Sequence, residues 1–303
     1  MAGLEDHRDG YPTHRRKARF DWANTPLHWI PGDPFATHLL NVFHLLLPVC
    51  ERWFIQALTE AEPLVDDAEV KAAIKPFIHQ ESWHSWAHQV VLQHLSEQGI
   101  DTTPYTDRLQ NWLSKLGKQH PGWPPVLQRW SLYRRLAVVA ALEPFNAAVG
   151  EWFIQNRGLD YAGVDPTMLD LLRWHGAEEI EHRSVVFDVY QNVCGSYPLR
   201  AVTMLSTAPT FAFWWIAGVR FLMENDPTII AKPRWRDWLR AARQYRVPGP
   251  WLVAVTVPSR FVRLGYHPSA EMSTQLAVEY LEQSPAARAA RERAEAQHTG
   301  SSG

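Results

Sequence analysis

The segment Phe77 to Gln89, FIHQESWHSWAHQ, concentrates three side chains that could bind a metal ion. On a helix that advances about 100° per residue, His84 lies about 60° and His88 about 20° from Glu81, so the three share one face. Carboxylate oxygens and neutral imidazoles together suit iron, manganese or zinc. Glu and His at this spacing also form ordinary surface pairs, so this segment alone leaves both interpretations open.

A second segment repeats the same ligand set. In RWHGAEEIEHRSVVFD, residues 173–188, Glu179 and His182 form another Glu-x-x-His pair, and His175 lies one turn before Glu179. Glu178 competes with Glu179 for the ligand position. We prefer Glu179, because it forms the i, i+3 pair with His182 and lies closer to the face of His175.

Two further segments each carry one carboxylate among apolar residues. LLLPVCERWF contains Glu51, and VVAALEPFNAAVGEWF contains Glu143. A carboxylate is costly to bury unless a cation or a hydrogen-bonding partner meets it. Two Glu-x-x-His helices, joined by one Glu from each of two other helices, form the ligand set of di-iron and di-manganese bundles. We predict a dinuclear metal site rather than a metal-free network, with Glu81 and Glu179 as bridging ligands. Its ligands would be Glu51, Glu81, His84, Glu143, Glu179 and His182.

Three further histidines share these faces. His88 and His175 lie beside the predicted ligands, and His44 lies seven residues before Glu51. Three roles stay open for them: orienting the ligands, binding metal directly, or carrying protons as catalytic residues. We expect two iron ions per chain, or three if His88 and His175 are ligands, with manganese or zinc as alternatives.

The hydrophobic pattern of the chain is helical, without sustained period-two alternation, and predicts an all-α protein. Four long helices are expected at about 34–59, 67–98, 125–156 and 167–193, with a shorter one at about 107–118. The long connection between the second and third long helices leaves room for a crossover. This order predicts a ferritin-like four-helix bundle with additional C-terminal helices.

The chain divides into four expected parts. Residues 1–34 form an irregular arm, 35–195 the metal-binding bundle, 196–285 additional helices, and 286–303 a flexible tail. The basic stretch HRRKARF, residues 14–20, is expected to be a solvated part of the arm.

Two C-terminal segments have compositions that could favour contact with a membrane. Residues 201–219 carry no formal charge, and their length approaches a membrane span. Their Ser, Thr and Pro residues favour a buried or interfacial helix instead. The basic segment 233–246 would either lie on an anionic membrane surface or cover the core. Peripheral membrane contact and a homodimer are both open interpretations.

Composition limits the function classes. A chain of 303 residues with 46% hydrophobic residues can bury a sizeable core, and a net charge of −2 provides no field suited to nucleic acid. The N-terminus lacks the apolar run of a secretory signal, so a cytoplasmic protein is expected. Two widely separated cysteines predict reduced thiols rather than a thiolate metal site.

Four stretches around these residues resemble one bacterial family. CERWF, QESWHSWAH, ALEPFNAAVGEWF and RWHGAEEIEHRSVVFDVY are similar to the predicted metal-dependent hydrolases, over about Ala36 to Met223. The resemblance implies a ferritin-like metalloprotein with the Glu and His residues above as its metal residues, and the family name implies hydrolysis. The sequence has Asn146 where family members often have Thr, and Arg183 where Lys is usual.

The ligand set itself is typical of oxygen-activating bundles. We therefore expect a non-haem di-iron oxidoreductase that acts on an apolar or aromatic small molecule, with O2 and an external electron donor as partners. One alternative is a hydrolase that activates a water on its metal ions, with His88 or His175 carrying protons. Another is an iron-oxidising or metal-storage protein without an organic substrate.

Overall fold

The computed structural model describes residues 16–117, 122–229, 232–249 and 251–300. Within these ranges the chain forms helices and connecting segments without β-strands, which confirms the all-α prediction. The helices are α1 (Pro34–Ala61), α2 (Ala68–Glu97), α3 (Thr103–Leu116), α4 (Pro125–Gln155), α5 (Arg157–Tyr161), α6 (Pro166–His182), α7 (Val185–Val193), α8 (Tyr197–Asn225), α9 (Trp235–Gln244), α10 (Val257–Phe261), α11 (Thr274–Gln283) and α12 (Pro285–Gly300). Short 3-10 turns cover Glu62–Leu64 and Pro268–Ala270, and a π-helical segment covers Leu252–Thr256.

The helix α1 is the centre of the molecule. Every side chain from Phe35 to Val49 is buried, because the helix is apolar on nearly all sides. Asp33 caps its N-terminus by accepting a hydrogen bond from the Ala36 N–H at 3.0 Å, and Pro34 occupies the first helical position. α1 packs along α2, while α8 packs on both α1 and α4.

The helices α4 and α6 form the second close pair. They meet at Gly150 and Gly176, where a Cβ atom built on Gly150 would lie 2.5 Å from the Gly176 carbonyl oxygen. Only glycine at both positions lets the two backbones approach so closely. This crossing lies seven residues after Glu143 and three residues before Glu179, so it fixes the spacing of two predicted ligands.

The fourth expected helix, 167–193, consists of two helices that are separated at Arg183 and Ser184. The Arg183 guanidinium donates to the Ile180 carbonyl, which a continuous helix would offer to the N–H of residue 184. Its Nε donates to the carbonyls of Pro268 and Glu271, at 3.1 and 3.0 Å. The buried arginine therefore ends α6 and anchors a distant loop.

Both ends of the described chain contact the rest of the protein at positions for which the sequence predicted a solvated arm and a flexible tail. Arg16, expected in a solvated arm, is 9% exposed. Residues 286–300, expected in a flexible tail, lie in α12, where Ala286 and Ala287 are buried and the Ala286 N–H donates to Asp170 at 3.0 Å. The tail is helical because it is rich in alanine and arginine, which have high helix propensity.

The helix α8 covers the bundle and leaves one apolar face exposed. Val202, Leu205, Phe213 and Ile216 are 58–66% exposed and follow helical spacing. By length and composition α4 and α8 could each cross a membrane, but 61% of the apolar window of α4 is buried, against 39% for α8. α4 is therefore a core helix, while α8 keeps an apolar outer surface.

Candidate metal centre

Four helices bring the predicted ligands together in the interior. Glu51 lies on α1, Glu81 and His84 on α2, Glu143 on α4, and the pair Glu179 and His182 on α6. None of these six side chains is more than 1% exposed. His88 is fully buried and His175 is 7% exposed. Glu151, eight residues after Glu143 on α4, is partly exposed and accepts a hydrogen bond from Gln155.

One group of ligand atoms comes from Glu51, His84, His175 and Glu179. One atom from each of them lies within 4.8 Å of the others. His175 Nε2 lies 3.0 Å from Glu179 Oε1, and its Nδ1 lies 4.0 Å from Glu51 Oε1. Four oxygen and nitrogen ligands at these separations fit around one divalent ion.

A second group shares two residues with the first and consists of Glu81, His84, Glu179 and His182. His182 Nε2 lies 3.4 Å from Glu81 Oε1, and its Nδ1 lies 3.5 Å from Glu143 Oε2. His84 Nδ1 is 3.9 Å from Glu81 Oε1 and 3.7 Å from Glu179 Oε1. The two groups are adjacent and have Glu179 in common.

The polar atoms of this region lack hydrogen bonds. Both carboxylate oxygens of Glu51, Glu81, Glu143 and Glu179 are buried, and no donor among the described residues satisfies them. The same holds for His84 Nδ1 and for both ring nitrogens of His182. Orphaned buried polar atoms are rare in folded proteins. Two divalent cations would balance four carboxylate charges and satisfy these atoms, so the residues fit a dinuclear metal site.

The pKa values show the same excess of negative charge. Burial and the charge of Glu179 raise the pKa of Glu51 and Glu81 well above the usual value, and that of Glu143 to about 7. Burial also disfavours ionisation of Glu179, but His182 and His175 outweigh it and lower the pKa. His182 is cationic up to a pKa of about 9, because Glu179 and Glu143 overcome its burial. Metal ions would replace this protonation.

Glu178 takes a different role from Glu179. Its carboxylate accepts hydrogen bonds from Arg16 at 3.1 Å, Trp174 Nε1 at 3.1 Å and His84 Nε2 at 2.9 Å. His84 therefore carries its proton on Nε2 and directs the Nδ1 lone pair towards Glu81 and Glu179. This carboxylate–histidine arrangement is typical of metal sites, where it orients the ligand and strengthens it as a base.

A chain of histidines leads away from the first group. His88 Nε2 lies 3.1 Å from His175 Nδ1, and His88 Nδ1 lies 2.7 Å from His44 Nδ1. With its Nε2 on a metal ion, His175 would carry its proton on Nδ1 and donate to His88 Nε2, and His88 would then donate from Nδ1 to His44 Nδ1. Burial and the neighbouring histidines lower the pKa of His84 and His88, and burial lowers that of His44 to about 3. His44 Nε2 ends the chain as a buried nitrogen without a hydrogen-bond partner among the described residues.

His28, His38 and Asp226 form a third histidine–carboxylate group, outside the metal centre, and hydrogen bonds hold it together. His28 and His38 both place Nε2 on Asp226 Oδ2, at 2.6 and 2.7 Å. The Trp29 indole donates to Asn41 Oδ1 at 2.6 Å, so the Asn41 amide faces His38 Nδ1 at 3.4 Å. His38 must then keep its proton on Nε2, which occupies the lone pair that a metal would need.

Sequence reasoning missed Arg16 as part of this region. It joins Glu178 across 162 residues and also pairs with Glu181 at 2.7 Å. Trp174 and Glu178 had a local signal, since they are four residues apart on α6 and so share a face. No local pattern relates Arg16 to either residue.

Fold and site define an all-helical protein with a buried carboxylate–histidine metal-binding region. Residues 14–271 match the family described as predicted metal-dependent hydrolase, and the chain belongs to this family. No curated protein and no solved structure matches the chain. The description of this family is that of predicted metal-dependent enzymes.

This membership overturns the main functional expectation. The prediction of an O2-activating di-iron oxidoreductase is wrong, because the family is described as hydrolytic, which favours the hydrolase alternative. The ligand types misled the prediction for a physical reason. Carboxylates and imidazoles hold iron for redox chemistry and hold iron, manganese or zinc for Lewis-acid chemistry equally well, so a ligand set alone does not define the reaction.

Proposed function

We propose that this protein is a hydrolase whose buried centre holds two divalent cations, one in each ligand group. The observation that carries the proposal is the convergence of eight carboxylate oxygens, from Glu51, Glu81, Glu143 and Glu179, that lack hydrogen-bond donors. Such a cluster is strongly destabilising without cations. The origin of the ligands on α1, α2, α4 and α6 supports a ferritin-like arrangement of these four helices.

The contacts support a division of roles among the ligands. Glu179 belongs to both groups and would bridge the two ions. We propose Glu81 as the second bridge, because its Oε1 lies 3.4 Å from His182 Nε2 and 3.9 Å from His84 Nδ1. Glu51 would bind the ion of the first group, and Glu143 would bind the other beside His182. His84 has a single nitrogen free, since its Nε2 donates to Glu178, so it serves one ion only.

When bound, two divalent cations lower the pKa of a water molecule and stabilise the oxyanion that forms during hydrolysis. The chain supplies the proton path. With its Nε2 on a metal ion, His175 would donate from Nδ1 to His88 Nε2, so a proton leaving the centre could pass along His175 and His88 to His44. Phe77 packs edge-on against His182 at 4.7 Å and Trp174 against His84 at 5.0 Å, which keeps bulk water from the ligands.

Zinc, manganese and ferrous iron all fit four carboxylates with imidazoles. A third ion would require His88 to leave its hydrogen bonds to His175 and His44. We therefore propose two ions per chain.

Metal content and hydrolysis should be measured on the same samples. Wild-type protein from medium supplied with zinc, manganese and iron should carry about two ions per chain by plasma mass spectrometry. It should hydrolyse at least one compound in a panel of carboxylic esters, amides and phosphate esters. EDTA should remove hydrolysis of at least one of these compounds, and the returned metal should restore it. Glu179→Gln should lose metal and this EDTA-sensitive activity together, whereas Ser259→Ala, at an exposed serine that donates to a backbone carbonyl, should keep both. Two-ion protein that hydrolyses nothing in the panel, or whose hydrolysis is entirely unaffected by EDTA, would overturn the proposal.

A further inference from the structure

A second group of reactive side chains lies where the loop before α11 meets α7. Ser269 Oγ is 2.6 Å from His267 Nδ1, and His267 Nε2 is 2.8 Å from Asp188 Oδ1. The side chains of His267 and Asp188 are 26% and 25% exposed, and Ser269 is half-buried. Unlike the metal centre, this group can be reached from solvent.

The three residues hold their protons in a defined order. The Asp188 carboxylate can only accept, so His267 donates from Nε2. The neutral imidazole then has its lone pair on Nδ1, and the Ser269 hydroxyl donates to it. A nucleophile on a base, with the base oriented by a third group, is the arrangement that activates catalytic serines. The ring nitrogens are exchanged relative to serine proteases, where the acid binds Nδ1.

Rigid surroundings hold the group in place. The buried Arg183 guanidinium donates to the Ser269 carbonyl at 3.1 Å and to the Pro268 carbonyl at 3.1 Å. Phe187 packs edge-on against the His267 ring, with centroids 5.3 Å apart. Met272, three residues beyond Ser269, is held at φ 60°, a conformation that a non-glycine residue keeps only when its surroundings enforce it.

A turn-capping role accounts for only part of this geometry. The Ser269 N–H also approaches His267 Nδ1, at 3.3 Å, and a cap requires no more than that bond. The cap does not need the hydroxyl at 2.6 Å, and it does not need a carboxylate from a helix 79 residues away to fix the ring.

We propose that Ser269, His267 and Asp188 form a second, metal-independent nucleophilic site that hydrolyses carboxylic esters. Ser269 Oγ attacks the carbonyl carbon and its proton passes to His267 Nδ1. The ester C–O bond breaks, and the leaving alkoxide takes that proton to become the alcohol. Water then attacks the acyl-serine ester, passes its proton through Nδ1 back to Ser269 Oγ, and releases the carboxylic acid.

An alkyl fluorophosphonate tests this site directly, since it bonds to activated serines with loss of fluoride. Full-length protein should gain one adduct by intact mass, and peptide mapping should place it on Ser269, with and without EDTA. Ser269→Ala should remove the adduct. His267→Gln and Asp188→Asn should slow labelling at least about 100-fold, because each removes one link of the chain. Ser259→Ala is the matched control, since Ser259 is an exposed serine whose hydroxyl donates to a backbone carbonyl. That variant should label like wild type.

Circular dichroism and the unfolding midpoint of each variant establish that it is folded. As a second measurement, Ser269→Cys should react with iodoacetamide faster than Ser259→Cys, because a thiol at position 269 keeps its base. The proposal fails if Ser269 stays unlabelled, if Asp188→Asn labels at the wild-type rate, if the two cysteine variants react equally, or if EDTA prevents labelling. Because labelling is also measured in EDTA, an unlabelled Ser269 leaves the proposed metal-dependent hydrolase intact. Absence of EDTA-sensitive hydrolysis likewise leaves the proposed serine site intact.

Discussion

At the scale of single residues, the two neighbouring carboxylates of α6 have opposite environments. Glu178 accepts three hydrogen bonds, from Arg16, Trp174 and His84. Glu179 contacts His175 at 3.0 Å and belongs to both ligand groups. Adjacent positions on a helix point about 100° apart, so one carboxylate can support the ligands while its neighbour acts as one.

Substitution separates these roles. Glu178→Gln should keep two ions per chain but bind them about 10–100-fold more weakly. The amide has one acceptor oxygen for three donors, and with that oxygen on Arg16 and Trp174 its NH2 group faces His84 Nε2. Glu179→Gln should instead lower the number of ions bound. Glu181→Gln is the matched control, since it removes the other carboxylate on Arg16 without touching His84. Titration with a competing chelator gives both affinity and stoichiometry. An unchanged affinity in Glu178→Gln would contradict the role assigned to Glu178.

At the scale of helices, the crossing of α4 and α6 fixes the distance between Glu143 and the Glu179–His182 pair. A Cβ atom on Gly176 would lie 2.4 Å from the Gly150 Cα, and backbone atoms cannot move aside as a side chain can. The ligand geometry therefore depends on two residues that bind nothing themselves.

Gly150→Ala should force α4 and α6 apart. Overpacking of this kind typically costs about 1–3 kcal/mol, and it should exceed the gain of about 1 kcal/mol from the higher helix propensity of alanine. We expect a lower midpoint of thermal unfolding and less metal per chain. Gly122→Ala, where a Cβ atom meets nothing within 4 Å, should change neither. Wild-type stability and metal content in Gly150→Ala would show that the crossing tolerates a methyl group.

The sequence predicted helices well where the pattern is local. The inward faces of α1, α2, α4 and α6 follow from the spacing of Glu, His and apolar residues within each segment. The break at Arg183 and Ser184 was not predictable, because it depends on the contact of Arg183 with the loop of residues 268–271. Arg16 was likewise missed, since only the folded chain brings it to Glu178. Contacts between distant segments decide such features.

At the scale of the whole molecule, the buried carboxylates tie stability to pH and to metal. Burial raises the pKa of Glu178 to about 8, even though the Arg16 charge opposes this shift. The charges of Glu179 and Glu143 raise the pKa of His182 to about 9 in spite of its burial. A group whose pKa is raised on folding stabilises the folded state below its unfolded pKa, and this stabilisation is lost as pH rises through the folded pKa. The pKa values of His44, His84 and His88 are lowered on folding. These three histidines therefore destabilise the folded state as pH falls below about 6.5, where they bind protons in the unfolded chain.

Metal-free protein should therefore lose stability between pH 7 and about 9, where only the raised groups still titrate. Metal-loaded protein should not follow this trend, because the ions bind the deprotonated ligands and bind them more tightly as pH rises. Binding to the folded state alone also raises the unfolding midpoint. Calorimetry at pH 7 and pH 9, with EDTA and with bound metal, should show a gap between the two midpoints that widens at the higher pH. A metal-free midpoint that stays constant or rises over this interval would show that the buried carboxylates carry their charge without cations.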